Sequence, residues 1–320
     1  MAAKKGRAST RAKTTKKTSL IPAVRYLRYR ITTSGTPDTE TSHYIDLARD
    51  LSRMNRRLYR AGRVYHVKKI TLTSPNTPNG TNFVSCSTAP DSWVARNAWA
   101  RGFKSWKQMN KTATGQLAGN IAGTWSDFKI YMDSGMAAAT LENPYDNGNN
   151  AAAAALNWDV SSFVTPDGTA TDDEFYATLL GDHDGGPGSR VSIGLIKSYA
   201  QSRATVQLTD PSVPTEASGD PLVNLFDYGT TIDDVIDNLE DENDAPPYSL
   251  IQYPGGGANM PKPLVVQMTT IVDGRGTMGS FSAMMGHLEI ELKSGIPNDL
   301  ISVLVELAPG KYRGISSEAI

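Results

Sequence analysis

The side chains best suited to chemistry in this sequence are cations, and their spacing suits one task. Arg49, Arg53, Arg56 and Arg60 recur at i, i+4, i+7 and i+11, which lays them in one row along an α-helix. Ahead of them, Lys4, Lys5, Arg7, Arg11, Lys13, Lys16, Lys17, Arg25, Arg28 and Arg30 make ten basic residues within 1–37, with no acid before Asp38. Cations at this density neutralise phosphates and release condensed counterions, so the expected partner is nucleic acid, bound through charge rather than through its sequence. Only Asp46 and Asp50 lie near the helical row to pair with it, which favours a phosphate-contacting face over a merely solvated one.

Other chemistries find little footing. His43, His66, His183 and His287 are scattered, with no His-x-His or His-x-x-x-His spacing to put two on one face for a metal. The single cysteine, Cys86, excludes an internal disulfide and a thiolate cluster. There is no phosphate-binding glycine loop, nucleophile elbow or dinucleotide fingerprint, and Gly255-Gly256-Gly257 has no helix start behind it. Two acidic groups, Asp172-Asp173-Glu174 with Asp182 and Asp184, and 233–244, carry enough carboxylates for Ca²⁺ but lack the ligand register of an EF-hand, and solvated loops are the simpler reading. No catalytic residue, metal or cofactor is expected.

The charge is sorted along the chain. From the start to Lys111 there are 23 basic and 5 acidic residues, a net of +18; the remainder holds 9 and 28, a net of −19. The overall −1 therefore conceals a dipolar protein that needs two different surroundings. Residues 1–19 contain only Lys, Arg, Ser, Thr, Ala and Gly after Met1, too little apolar surface to offset the entropy of ordering, so 1–37 reads as a largely disordered basic arm leading into the first strand. It lacks the apolar stretch of a secretory signal, and no apolar run reaches the roughly 18 residues of a spanning helix.

The elements that must position these cations are mostly strands. Tyr26, Arg28 and Arg30 alternate with apolar neighbours on one side of a strand. A helix over 46–60, with Leu47, Leu51, Met54 and Leu58 as its inward stripe, would carry the arginine row outward and end at Gly62. After a strand over 64–73 and a short one over 82–87, Thr88 caps a second helix on which Trp99, Phe103 and Trp106 form an aromatic stripe. That stripe reads as core, with stacking on bases the alternative. Further strands are expected over 125–132, 159–164, 174–180, 191–199, 203–208, 222–226, 264–272, 281–292 and 300–307, with one acidic helix over 231–241. Many short strands with long connections point to a mainly β, antiparallel sandwich or barrel with a few inserted helices.

A disordered basic arm leading into a β-rich body of this size resembles the capsid proteins of small icosahedral viruses, more specifically those encoded by small circular single-stranded DNA genomes. The segments that carry the resemblance are Tyr44-Ile45-Asp46-Leu47 with Asn55-Arg56-Arg57-Leu58-Tyr59-Arg60, Ser87-Thr88-Ala89-Pro90-Asp91-Ser92-Trp93-Val94, Trp125-Ser126-Asp127-Phe128-Lys129-Ile130-Tyr131, Asn243-Asp244-Ala245-Pro246-Pro247-Tyr248 and Glu306-Leu307-Ala308-Pro309-Gly310-Lys311-Tyr312. The resemblance implies a single jelly-roll shell domain over 38–320, self-assembly into an icosahedral shell, and packaging of single-stranded DNA by the arm. It further implies a location in the virion, and in the host cell during assembly. Two other readings stay open: a double jelly-roll coat protein of a tailless phage, and a non-viral β-rich nucleic-acid-binding module with a basic tail.

Overall fold

The computed structural model describes residues 22–76, 82–115, 125–146, 158–165, 173–186, 189–203 and 263–320. The arm cations Lys4 to Lys17, the expected strand over 222–226, the expected helix over 231–241 with its acidic group, and the expected strand over 203–208 beyond Arg203 lie outside the described residues.

The chain is mainly β, and its sheets are built largely from antiparallel pairs. In β1 (Tyr26–Thr32) Leu27, Tyr29 and Ile31 are buried while Tyr26, Arg28 and Arg30 face away from the core, the alternation that its sequence dictates. One sheet runs β1, β12 (Leu300–Leu307), β3 (Arg63–Thr73), then β9 (Arg275–Met278) and β10 (Phe281–Met284). β9 and β10 keep one register against β3, from Arg275↔Thr73 to Met284↔Val64, so they act as one strand interrupted at Gly279-Ser280. On the other edge of β3, a bulge at Glu306/Leu307 ends the pairing with β12, and β14 (Ser317–Ala319), reached through β13 (Pro309–Tyr312), takes over. The second sheet runs β2 (Thr41–Asp46), β11 (His287–Lys293), β4 (Phe83–Thr88) and β8 (Leu264–Thr269).

With β9 and β10 counted as one, eight strands pair first with last, second with seventh, third with sixth and fourth with fifth. The inner faces of the two sheets meet in a core of Leu27, Tyr29, Ile31, Ile70, Leu72 and Val303 against Ile45, Val84, Cys86, Leu288 and Ile290. Each such side chain contributes roughly 1.5–3 kcal/mol by leaving water.

Between β4 and β8 the chain makes a long excursion. It holds α2 (Trp93–Thr114), α3 (Ser134–Ala138), β5 (Ser162–Thr165), β6 (Asp173–Thr178), β7 (Ser192–Gly194) and α4 (Leu195–Arg203). Its own core, including Phe128, Ile130, Met132, Leu179, Leu195 and Ile196, rests on Tyr44, Val64 and Met284 of the sandwich. Several local expectations change here. Ser92, not Thr88, caps α2, accepting from the Ala95 N–H at 3.2 Å, because Thr88 ends β4 and its hydroxyl donates to the His287 carbonyl. Residues 125–132 bury Phe128, Ile130 and Met132 alternately but make only an isolated bridge at Tyr131. The span 191–199 divides into β7 and α4, since Leu195 packs against Gly102 of α2 and leaves the sheet.

The expected strand 281–292 is two strands, broken by a tight turn at Met285-Gly286 that carries the chain from one sheet to the other. Both residues have positive φ, 59° and 76°, which lets the chain reverse within two residues, closed by the Gly286 N–H to the Ala283 carbonyl at 3.2 Å. A Cβ on Gly286 would lie 3.0 Å from the Tyr65 ring and 3.2 Å from Leu47. Gly286→Ala is expected to lower unfolding stability by about 1–3 kcal/mol, through backbone strain and this crowding. Chemical denaturation checks it, and an unchanged midpoint refutes the role given to this turn.

Candidate nucleic-acid interface

The two outer faces of the sandwich differ in charge. On the first sheet, Arg28 and Arg30 of β1, Lys68 and Lys69 of β3 and Arg275 of β9 face outward around one acid, Glu306 of β12. Lys68 reaches Glu306 at 2.6 Å, and that contact holds the Glu306 carboxyl below its ordinary range. Arg28 and Arg30 lie over the Tyr145 ring, 5.7 and 4.9 Å from its centre. On the second sheet the outward row of β11 holds Glu289, Glu291 and Lys293; Glu289 is buried and accepts from the Tyr44 hydroxyl at 2.9 Å, and the Ser85 hydroxyl donates to Glu291 at 3.0 Å.

The arginine row on the first helix does not form. α1 spans Leu47–Asn55 only, because Arg56 adopts φ 52° and ψ 39°, a left-handed cap that ends the helix well before Gly62. Asp46 opens it, its carboxylate accepting from the Arg49 N–H at 3.0 Å. Arg49 is 4% exposed, an inward position rather than part of a solvent-facing stripe. Its Nε donates to Asp50 at 2.8 Å and its Nη2 to the Glu142 carbonyl. Arg53 donates to Asn143 Oδ1 at 2.7 Å. Asp50, fully buried, also accepts from the Tyr29 hydroxyl at 2.7 Å.

These bonds fasten the segment at 142–145. Its backbone pairs with the open edges of both sheets, through Glu142 N–H to the Tyr44 carbonyl (2.8 Å) and Tyr145 N–H to the Arg28 carbonyl (2.7 Å). The two inner arginines therefore seal a sandwich edge, and reversing their charges would break the fold before it tested phosphate contact.

A second group of cations gathers where the chain enters the sandwich. The Val24 N–H donates to Asn55 Oδ1 at 2.7 Å, and Arg57 donates to the Pro22 carbonyl at 3.4 Å, so β1 is approached beside the exposed Arg56 and Arg57. Arg60 lies 4.3 Å over the Trp125 ring and 3.3 Å from Asp127; Arg63 lies 3.8 Å over Tyr312, with Arg313 on the same ring at 5.9 Å. Arginine on aromatic faces beside unsealed cations is an arrangement that takes a phosphate backbone with bases alongside.

Of the expected cations, Arg25, Arg28, Arg30, Arg56 and Arg60 are on or near this basic side, while Arg49 and Arg53 are clamps. Lys68, Lys69, Arg57, Arg63, Arg275 and Arg313 were not singled out from sequence. The one signal for the lysines is that two adjacent charges interrupt an alternating strand, as a bulge requires.

Among the described residues no group of three or more metal-ligating side chains comes together. Asp182, from the first acidic group, is paired with Lys197. Among the described residues no helix is long and apolar enough to cross a membrane. Comparison with protein-family models, with curated proteins and with solved structures returned no match to this chain.

Burial pushes the Asp50 carboxyl from 3.8 up to about 6, against the opposing pull of Arg49 and Tyr29. A folded pKa raised above the unfolded one gives stability that is complete below about 3.8 and lost as pH rises through about 6. Asp50→Asn is expected to flatten the pH dependence of unfolding between those values, because the amide has no proton to gain or lose there. Urea unfolding at a series of pH values measures this; parallel profiles for the two proteins would contradict the assignment.

Proposed function

We propose that this chain is the coat protein of a small icosahedral particle, a jelly-roll shell domain whose basic arm gathers single-stranded DNA inside the shell. The observation that carries the reading is the strand pairing: first with last, second with seventh, third with sixth, fourth with fifth, divided over two facing sheets. That pairing supports the jelly-roll reading, in which a four-pair hairpin is rolled on itself. The β1 end that follows the arm adjoins Arg56, Arg57 and the basic outer face of the first sheet, which supports one continuous cationic surface.

Two rival readings receive less support. The described part of the β4–β8 excursion holds a three-stranded sheet and helices, not a second set of eight strands, which favours one barrel over two. A binding module with a tail accounts for the arm but gives no role to the large β body behind it.

The test is to express the full chain, treat the lysate with nuclease, and examine the sedimenting material by electron microscopy and ultraviolet absorbance. Uniform closed particles with protected nucleic acid are expected. Removing residues 2–21, and so sparing β1, should yield empty or unstable particles, and Arg28→Glu with Lys69→Glu should lower the nucleic acid per particle without unfolding the domain. A small monodisperse species that binds DNA only in low salt would overturn the shell reading.

A further inference from the structure

We propose that the cavity beside α2 is a nucleobase site, taking one unit of a single-stranded nucleic acid with its base against the α2 aromatics and its phosphate on Lys107 and Arg60. The cavity measures about 590 Å³, within the range of small-molecule sites, and its lining includes Trp99, Phe103 and Trp106 of α2 with Gly62, Asp127 and Phe128, whose ring packs 5.6–5.8 Å from all three α2 rings. The three α2 rings form a near-parallel ladder. Trp99 and Phe103 have centres 5.2 Å apart with 23° between planes, and Phe103 and Trp106 follow at 6.4 Å and 24°. Phe103 and Trp106 are only partly buried, so the ladder is open to a further flat ring.

Two polar features separate this from an unfinished patch of core. Trp99 is 7% exposed, yet its indole N–H has no acceptor among the described residues, and the same holds for Trp125 Nε1, whose ring lies under Arg60. Buried donors are nearly always paired, and a base carries ring nitrogens and carbonyls that accept. Gly62 belongs to the same design, since a Cβ there would come within 2.5 Å of the Trp99 ring and drive it into the cavity.

The cations select the ligand class. Lys107 is exposed at the rim, and Arg60 is half exposed, its guanidinium between Trp125 and Asp127. An apolar ligand would leave the rim charge of Lys107 unused, and a bare anion would leave the rings unused. A nucleotide uses both. The inference rests on the packaging reading for the source of the base, and it gives that reading a contact at which the strand is held by stacking as well as by charge.

The experiment uses the full chain, cleared of nucleic acid by nuclease and high salt, with dAMP, deoxyadenosine and deoxyribose 5-phosphate as separate probes of tryptophan fluorescence. Saturable quenching by dAMP and none by deoxyribose 5-phosphate is expected. Trp106→Ala should weaken dAMP binding by about tenfold or more, the range found for losing a stacking partner. Lys107→Glu, an exposed position, should weaken dAMP more than deoxyadenosine and settles the matter if Trp106→Ala does not fold. Equal responses to dAMP and deoxyribose 5-phosphate, unchanged affinity in a folded Trp106→Ala, or an equal change in affinity for dAMP and deoxyadenosine on Lys107→Glu would each overturn the site. A missing dAMP response with nuclease-protected nucleic acid in particles overturns the pocket alone; a dAMP response without closed particles overturns the shell and keeps the base site.

Discussion

Backbone amides and carbonyls at the middle of a sandwich have no water to turn to, so each must find a partner within the sheet. In this protein that demand falls hardest on β3, which is paired along both edges over most of its length. On one side β9 and β10 supply a single register; on the other β12 and β14 divide the task at a bulge. Four segments distant in the chain are thereby referred to one strand, and the facing sheet is positioned through the short links that leave it. The outward row of β1 inherits its place from β12, which inherits its own from β3. The charge of the first sheet's outer face is therefore a matter of register, since a slip of one residue would turn those cations into the core.

The same requirement explains why cations spaced like a phosphate-binding row became clamps. The β1 and β2 edges would otherwise be left open on one side of the sandwich. The segment at 142–145 closes both, and its carbonyl and side-chain groups need donors from within. Arg49 and Arg53 supply them, with Asp50 compensating the buried charge and the Tyr29 hydroxyl completing the carboxylate's bonds. Burying this network costs desolvation, and its return is a defined closure rather than bulk stability.

Much of the frame was legible in the sequence. Strict alternation in β1, β12 and the last part of β3 announced half-buried strands, and the aromatic spacing on α2 announced one packed face. The errors have local causes. Nothing in the residue type at Arg56 advertises a left-handed cap, since glycine is the usual signal, so the helix was read too long and its arginines placed outside. Val191 and Ile193 suggest a strand that would continue, yet Leu195 meets Gly102 across the excursion and the chain turns helical, a tertiary contact that local propensity does not contain. The cavity beside α2 was beyond sequence reading because its walls come from four separated stretches. Charge sorting was visible along the chain, but only the strand order places Arg28, Arg30, Lys69 and Arg275 on one face.

The excursion that carries that cavity leaves the sandwich at Thr88 and returns at Leu264, and these two residues are directly paired. The gateway is held by the ladder itself, so the entropy of closing the loop grows only slowly with what is inserted there. Stretches within the excursion can lengthen or change while the sandwich keeps its geometry, provided the segment at 142–145 stays to close the β1 and β2 edges. The molecule thus separates a frame that must stay constant, the two sheets together with that one inserted segment, from connecting material that is free to diversify.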